Sequence, residues 1–97
     1  MKLHELKILS QYKASIDAGQ KTFELRKNDR DYQVGDLIHF TVIESKHEDY
    51  QEVAWRFTRH PYLDDIYAIT YVLKDVPQYG LDKDYCILGI KKLEVSD

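Results

Sequence analysis

The chain has 97 residues, of which 43% are hydrophobic and 32% charged, with a formal net charge of −3. These values describe one globular domain over residues 1–97 with material for a single core. The acidic balance excludes a protein that coats nucleic acid through summed phosphate neutralisation, but leaves room for a local basic patch.

Cys86 is the only cysteine, so no intrachain disulfide or thiolate metal cluster is expected, which fits a reducing cytoplasm. Met1-Lys2-Leu3-His4-Glu5 lacks the apolar stretch of a signal peptide, and no run is long enough to span a bilayer. The expectation is a soluble cytoplasmic protein with no membrane partner. Eight tyrosines stand against one tryptophan and three phenylalanines. Tyrosine suits strands and also surfaces that stack on rings.

In chain order, Leu3–Leu9 predicts a strand, with His4, Leu6 and Ile8 alternating against Glu5 and Lys7. Ser10 is a good N-cap for a short helix over Gln11–Ala18, and Gly19 suits the C′ position. A second strand covers roughly Lys21–Lys27. Period-2 alternation puts Thr22, Glu24 and Arg26 on one face, and Phe23 and Leu25 on the other. The apolar pair is expected to point to the core. Asn28-Asp29-Arg30-Asp31 and Val34-Gly35-Asp36 are turns. Leu37–Ile43 is the next strand, with Ile38, Phe40 and Val42 alternating with His39 and Thr41.

Glu44–Asp64 opens on polar residues, and Tyr50, Val53, Ala54 and Phe57 then fall at helical spacing. A short helix or irregular excursion is expected there, ended by His60-Pro61. Ile66–Lys74 is a strand, Asp75–Lys83 a loop containing Pro77 and Gly80, and Tyr85–Lys92 the closing strand. The fold class is α+β: a small, mostly antiparallel β-barrel with an N-terminal helix and a short excursion in the middle of the chain. Barrels of this size fill their interior with side chains, so a ligand belongs in a cleft between helix and wall.

Residues 21–30 concentrate the charge chemistry, with Lys21, Arg26, Lys27 and Arg30 against Glu24 and Asp29. Lys21 and Arg26 suit a phosphate or polarised carbonyl, and Glu24 suits the amine edge of a base. The plain alternative is an exposed i, i+2 ion pair, worth about 0–1 kcal/mol. Arg30 with Lys27 extends a basic rim, or simply follows a turn. His4, His39, His47 and His60 lack metal-ligand spacing, so no metal is expected. Tyr67 and Tyr71 share a strand face that either stacks on a base or packs the barrel. Trp55, Arg56 and Arg59 offer a second stacking platform or an anchoring aromatic among solvated charges. Cys86 reads as a buried small hydrophobe.

The stretch Gly19-x-Lys21-x-x-Glu24-x-Arg26 is similar to the G-x-K-x-x-E-x-R motif of the ASCH superfamily, whose fold is related to the PUA RNA-binding domain. More closely, the chain resembles DUF3850, a small bacterial and phage family. The resemblance runs through His4-Glu5-Leu6-Lys7-Ile8-Leu9, Lys21-Thr22-Phe23-Glu24-Leu25-Arg26-Lys27-Asn28-Asp29-Arg30, Val34-Gly35-Asp36, Ile69-Thr70-Tyr71-Val72-Leu73 and the Gly80-Leu81 to Ile90 end. It implies a PUA-like/ASCH β-barrel with a charged cleft beside the N-terminal helix, lined by the motif, and a link to RNA or nucleotides. Lys21, Thr22, Glu24, Arg26, Lys27 and Arg30 are then the ligand-binding candidates, with no cofactor.

Two other readings stay open. Some ASCH-related proteins are amidohydrolases on acylated cytidine, using a lysine, a threonine and a glutamate. Lys21 matches that lysine, whereas Glu24 stands in the threonine's slot and Thr22 lies outside it. A ribonuclease using His4, His39 or Lys21 as acid or base belongs to the same class. The third reading is a protein-interaction module that uses residues 44–64, since an insertion of this kind often carries a private function.

Overall fold

One mixed sheet organises the molecule, in strand order β1-β3-β5-β6-β2, and it curves into a half-barrel. In this computed structural model, which describes residues 1–46, 49–52 and 65–94, the elements are β1 (Leu3–Leu9), α1 (Ser10–Asp17), β2 (Phe23–Lys27), β3 (Leu37–Lys46), β4 (Asp49–Glu52), β5 (Ile66–Leu73) and β6 (Tyr85–Lys92). β1 pairs with β3 in parallel, and every other pairing is antiparallel. The result is a small α+β, barrel-like fold with one α-helix and a 3-10 turn over Pro77–Tyr79 among the described residues.

Alternation builds the core. His4, Leu6 and Ile8 of β1 are buried, as are Ile38, Phe40 and Val42 of β3, and Cys86, Leu88 and Ile90 of β6. Each buried aliphatic side chain here contributes about 1.5–3 kcal/mol. The strands proposed over Leu3–Leu9 and Tyr85–Lys92 form with those bounds. Cys86 is fully buried among them, a small hydrophobe whose thiol burial pushes up.

The helix ends as its glycine predicts. Gly19 has φ +76°, its N–H donates to the Ile16 carbonyl at 3.0 Å, and the Gln20 N–H donates to the Ser15 carbonyl at 3.0 Å. That pair of bonds is a Schellman cap. The start differs from expectation. Leu9, not Ser10, is the N-cap residue, and no side chain caps the helix. Ser10 already has helical geometry because β1 runs into α1 without an intervening turn, so its hydroxyl sits one position too late to cap.

Two further expectations are corrected. Phe23 and Leu25 are 45% and 55% exposed, while Glu24 is only 4% exposed, so β2 turns its charged face inward. Tyr67 and Tyr71 do not share a face. A register shift between Ile69 and Tyr71 makes Thr70 an extra residue, so Tyr67 is buried and Tyr71 is 62% exposed. Part of the central excursion also proves regular: β4 returns along β3 as an antiparallel neighbour, pairing Glu52 with Ile43. Tyr50, the first residue at the expected helical spacing, is thus in a strand, and residues 53–64, with Val53, Ala54, Phe57, Trp55, Arg56 and Arg59, lie outside the described residues.

Candidate functional site

Glu24 faces inward because its cross-strand partner is Leu88, a core residue of β6, and Arg26 is likewise opposite buried Cys86. A carboxylate in that position must be paired, since an isolated buried charge is expensive. Its Oε1 accepts from the Lys21 ammonium, and its Oε2 accepts from Arg26 Nη1 at 3.4 Å. Lys21 is also held by rings, with Nζ 5.4 Å from the Tyr12 centroid and 5.2 Å from that of Phe23. Two cations therefore share one carboxylate.

From Arg26 a polar string continues across the open side of the half-barrel. Arg26 Nη1 donates to the Lys7 carbonyl at 2.9 Å, and Arg30 Nη1 donates to the Glu5 carbonyl at 3.1 Å. Both acceptors lie on β1, which heads the opposite end of the sheet from β2. Tyr32 is buried beside these arginines; burial pushes its phenol up, and Arg26 and Arg30 pull it partly back. Its ring lies 4.8 Å from that of His4, centroid to centroid. His4 Nε2 bonds Asp36 Oδ2 at 2.9 Å, and Asp36 also accepts the N–H groups of Lys2 and Gln33, each at 3.1 Å. The His4 hydrogen bond, aided by those N–H donors and opposed by burial, lowers the Asp36 pKa to about 2.

On the other side of Lys21 a cavity of about 370 Å³ opens between the C-terminal end of α1 and the sheet. Ile16, Tyr67 and Ile90 give it apolar walls, and Thr22, Asp17, Asp65 and Lys92 give it polar ones. Lys13 Nζ bonds Asp17 at 2.6 Å and Asp65 at 3.4 Å, while Lys92 Nζ lies 3.3 Å from Asp65. Burial works against the Lys13 charge, but the Asp17 bond and nearby Tyr67 hold its pKa above the ordinary value. Burial raises the Tyr67 phenol, against the pull of Lys13. The cavity thus joins a short apolar wall to a largely charged rim, and its volume is within the range of small-molecule sites. Among the described residues no group of three or more His, Cys, Asp or Glu side chains could hold a metal ion.

The family model for a domain of unknown function, DUF3850, matches residues 3–90. The chain belongs to that family. A search of curated proteins finds no match.

Within this DUF3850 domain the candidate residues fall into three places. Lys21, Glu24 and Arg26 form one cluster. Lys21 and Thr22 line the cavity, whereas Glu24 and Arg26 do not. Lys27 is exposed on the face of β2 opposite to Glu24, and Arg30 crosses to β1. His39 is engaged by Glu5 at 2.7 Å, away from the cavity. Asp17, Asp65 and Lys92 do not stand out in the sequence, because only long-range side-chain contacts bring them together: Lys13 of α1 reaches Asp65, the Tyr67 hydroxyl reaches Asp17, and Lys92 reaches Asp65. Among the described residues no helix is long and apolar enough to cross a membrane.

Proposed function

We propose that this domain is an RNA- or nucleotide-binding module of the ASCH/PUA-like kind, and that the cavity beside α1 takes a nucleotide. The observation that supports this is the placement of Lys21 and Thr22 of the motif on the wall of a cavity whose volume suits a small organic ligand. Ile16, Tyr67 and Ile90 offer a base an apolar wall, Asp17 and Asp65 offer acceptors for its amine edge, and Lys21 with Lys92 offers cations to a phosphate. Glu24 then has a changed part: both its oxygens are engaged, so it positions Lys21 and Arg26 instead of reading the ligand.

A hydrolase would need Lys21 free to act on Thr22 or on water. The ammonium is instead engaged by Glu24, and an ammonium so held still has N–H groups to offer a phosphate, which supports binding over turnover. A protein-interaction role for residues 44–64 rests on a segment that lies mostly outside the described residues.

The test is a thermal-shift screen of nucleosides, nucleotides (acylated and methylated cytidines included) and short RNAs. A ligand that binds only the folded state raises the melting temperature by mass action. The expected result is a hit whose shift disappears in Thr22→Leu, which fills the cavity. Assay of that hit for turnover distinguishes reader from enzyme, and a shift unaffected by Thr22→Leu would refute the cavity as the site.

A further inference from the structure

The outer face of β2, β6 and β5 carries an arrangement that the cavity does not explain. Its registered rows place Phe23 beside Gly89 and Tyr71, Leu25 beside Ile87 and Leu73, and Lys27 beside Tyr85. Phe23, Leu25, Tyr71 and Tyr85 are all more than two-fifths exposed, an uncommon amount of apolar and aromatic surface for one sheet face. At its centre the relief is low. A Cβ on Gly89 would lie 2.8 Å from Thr70 Oγ1, so the bulge hydroxyl fills the place of a side chain between the Phe23 and Tyr71 positions.

The charge on this face is one-sided. Lys27 and Lys91 occupy outward register positions on β2 and β6, and none of the outward positions on β2, β6 or β5 holds a carboxylate. That is notable in a chain of net charge −3. The acids lie at the ends of these strands: Asp29 two residues past Lys27, Asp65 and Asp75 before and after β5, Asp82 and Asp84 in the turn that precedes β6, and Glu94 after it. Exposed aromatic rings interspersed with lysines on a sheet face are complementary to unstacked bases joined by phosphates. A second copy of this chain would meet the face with charge of the same sign.

We propose that this outer face binds single-stranded nucleic acid, with bases stacked on Phe23, Tyr71 and Tyr85 and the backbone following Lys27 and Lys91. The platform lies on the opposite side of β2 from Glu24 and Arg26; Lys91 also borders the cavity and the Phe23 ring also meets Lys21 Nζ, so Tyr71, Tyr85 and Lys27 are the residues that belong to this face alone. Because every base has a stacking face, the binding is tolerant of sequence and weakens with salt.

Fluorescence anisotropy with a labelled oligouridylate and the matching oligothymidylate, each of about ten nucleotides, tests it at low salt. Both strands are expected to bind, the corresponding duplex not. Tyr71→Ala should weaken binding about tenfold, the scale of one lost stacking contact. Lys27→Glu should weaken it and flatten its dependence on salt. Tyr71 is mostly exposed, so Tyr71→Ala should keep the wild-type melting temperature, and mononucleotide binding in the cavity should survive it. Absence of binding to either strand, equal binding of duplex, or affinity unchanged in both variants would overturn the proposal. So would a dimer in sedimentation that Tyr71→Ala dissolves, which would give the face to a second copy.

Discussion

Arg26 on β2 and Lys7 on β1 belong to strands that do not pair, and the Arg26 guanidinium joins them by donating to the Lys7 carbonyl at 2.9 Å. Arg30 repeats the device at Glu5. The two ends of the sheet are thus tied by side chains where a closed barrel would use a backbone ladder. A hydrogen bond from a charged donor contributes about 1.5–3 kcal/mol, so Arg26→Ala should lower stability by an amount of that order while leaving the fold intact. Urea unfolding measures the loss, and unchanged stability would mean the tie carries no weight.

Lys21 and Glu24 should be energetically coupled. Removing one member of a partly buried pair strands the other, whereas removing both avoids that penalty. A double-mutant cycle with Lys21→Ala and Glu24→Gln should therefore give a coupling of about 1–3 kcal/mol. Additive losses would show that Lys21 reaches solvent instead of the carboxylate.

Asp36 makes stability depend on pH in the acid range. Its folded pKa, about 2, lies below the ordinary value of 3.8, so it binds its proton less readily folded than unfolded. Its contribution is complete above the ordinary value and is lost as pH falls through about 2. Chemical denaturation across that window should show stability falling with pH. Asp36→Asn should start less stable at neutral pH and show a shallower fall, and an identical slope in the variant would assign the acid sensitivity elsewhere.

The Thr70 bulge makes its own prediction. Gly89→Ala places a methyl 2.8 Å from Thr70 Oγ1 and 3.4 Å from Tyr71 Cβ. Overpacking of this kind costs about 1–3 kcal/mol, and Thr70→Ala in the same chain should recover part of it. Melting temperatures of Gly89→Ala and of the double variant against the wild type check this, and a double variant no more stable than Gly89→Ala would contradict it.

Local rules carried much of this fold from the sequence. The alternation in Leu3–Leu9 and Tyr85–Lys92 marked strands that form with those bounds, and Gly19 marked the end of the helix it caps. Alternation separates two faces without saying which one is inside. For β2 the choice by hydrophobicity went to Phe23 and Leu25, but Lys21 and Arg26 neutralise Glu24 within the interior, which permits the reverse. The Thr70 bulge left no mark, since Ile69, Tyr71 and Val72 are good strand residues in either register. Long-range pairings were equally invisible: His4 meets Asp36 across 32 positions, and Lys13 meets Asp65 across 52. The cavity follows from contacts of that kind, which is why only Gly19, Lys21, Thr22 and Tyr67 of its lining stand out in the sequence.

The most direct test of the nucleotide-binding account is amide chemical-shift mapping during titration with the best nucleotide from the thermal screen. The account predicts progressive shifts at Gly19, Lys21, Thr22, Tyr67 and Lys92, around the cavity, which vanish in Thr22→Leu. Saturable shifts confined to residues away from that cavity, or none with any nucleotide, would contradict it.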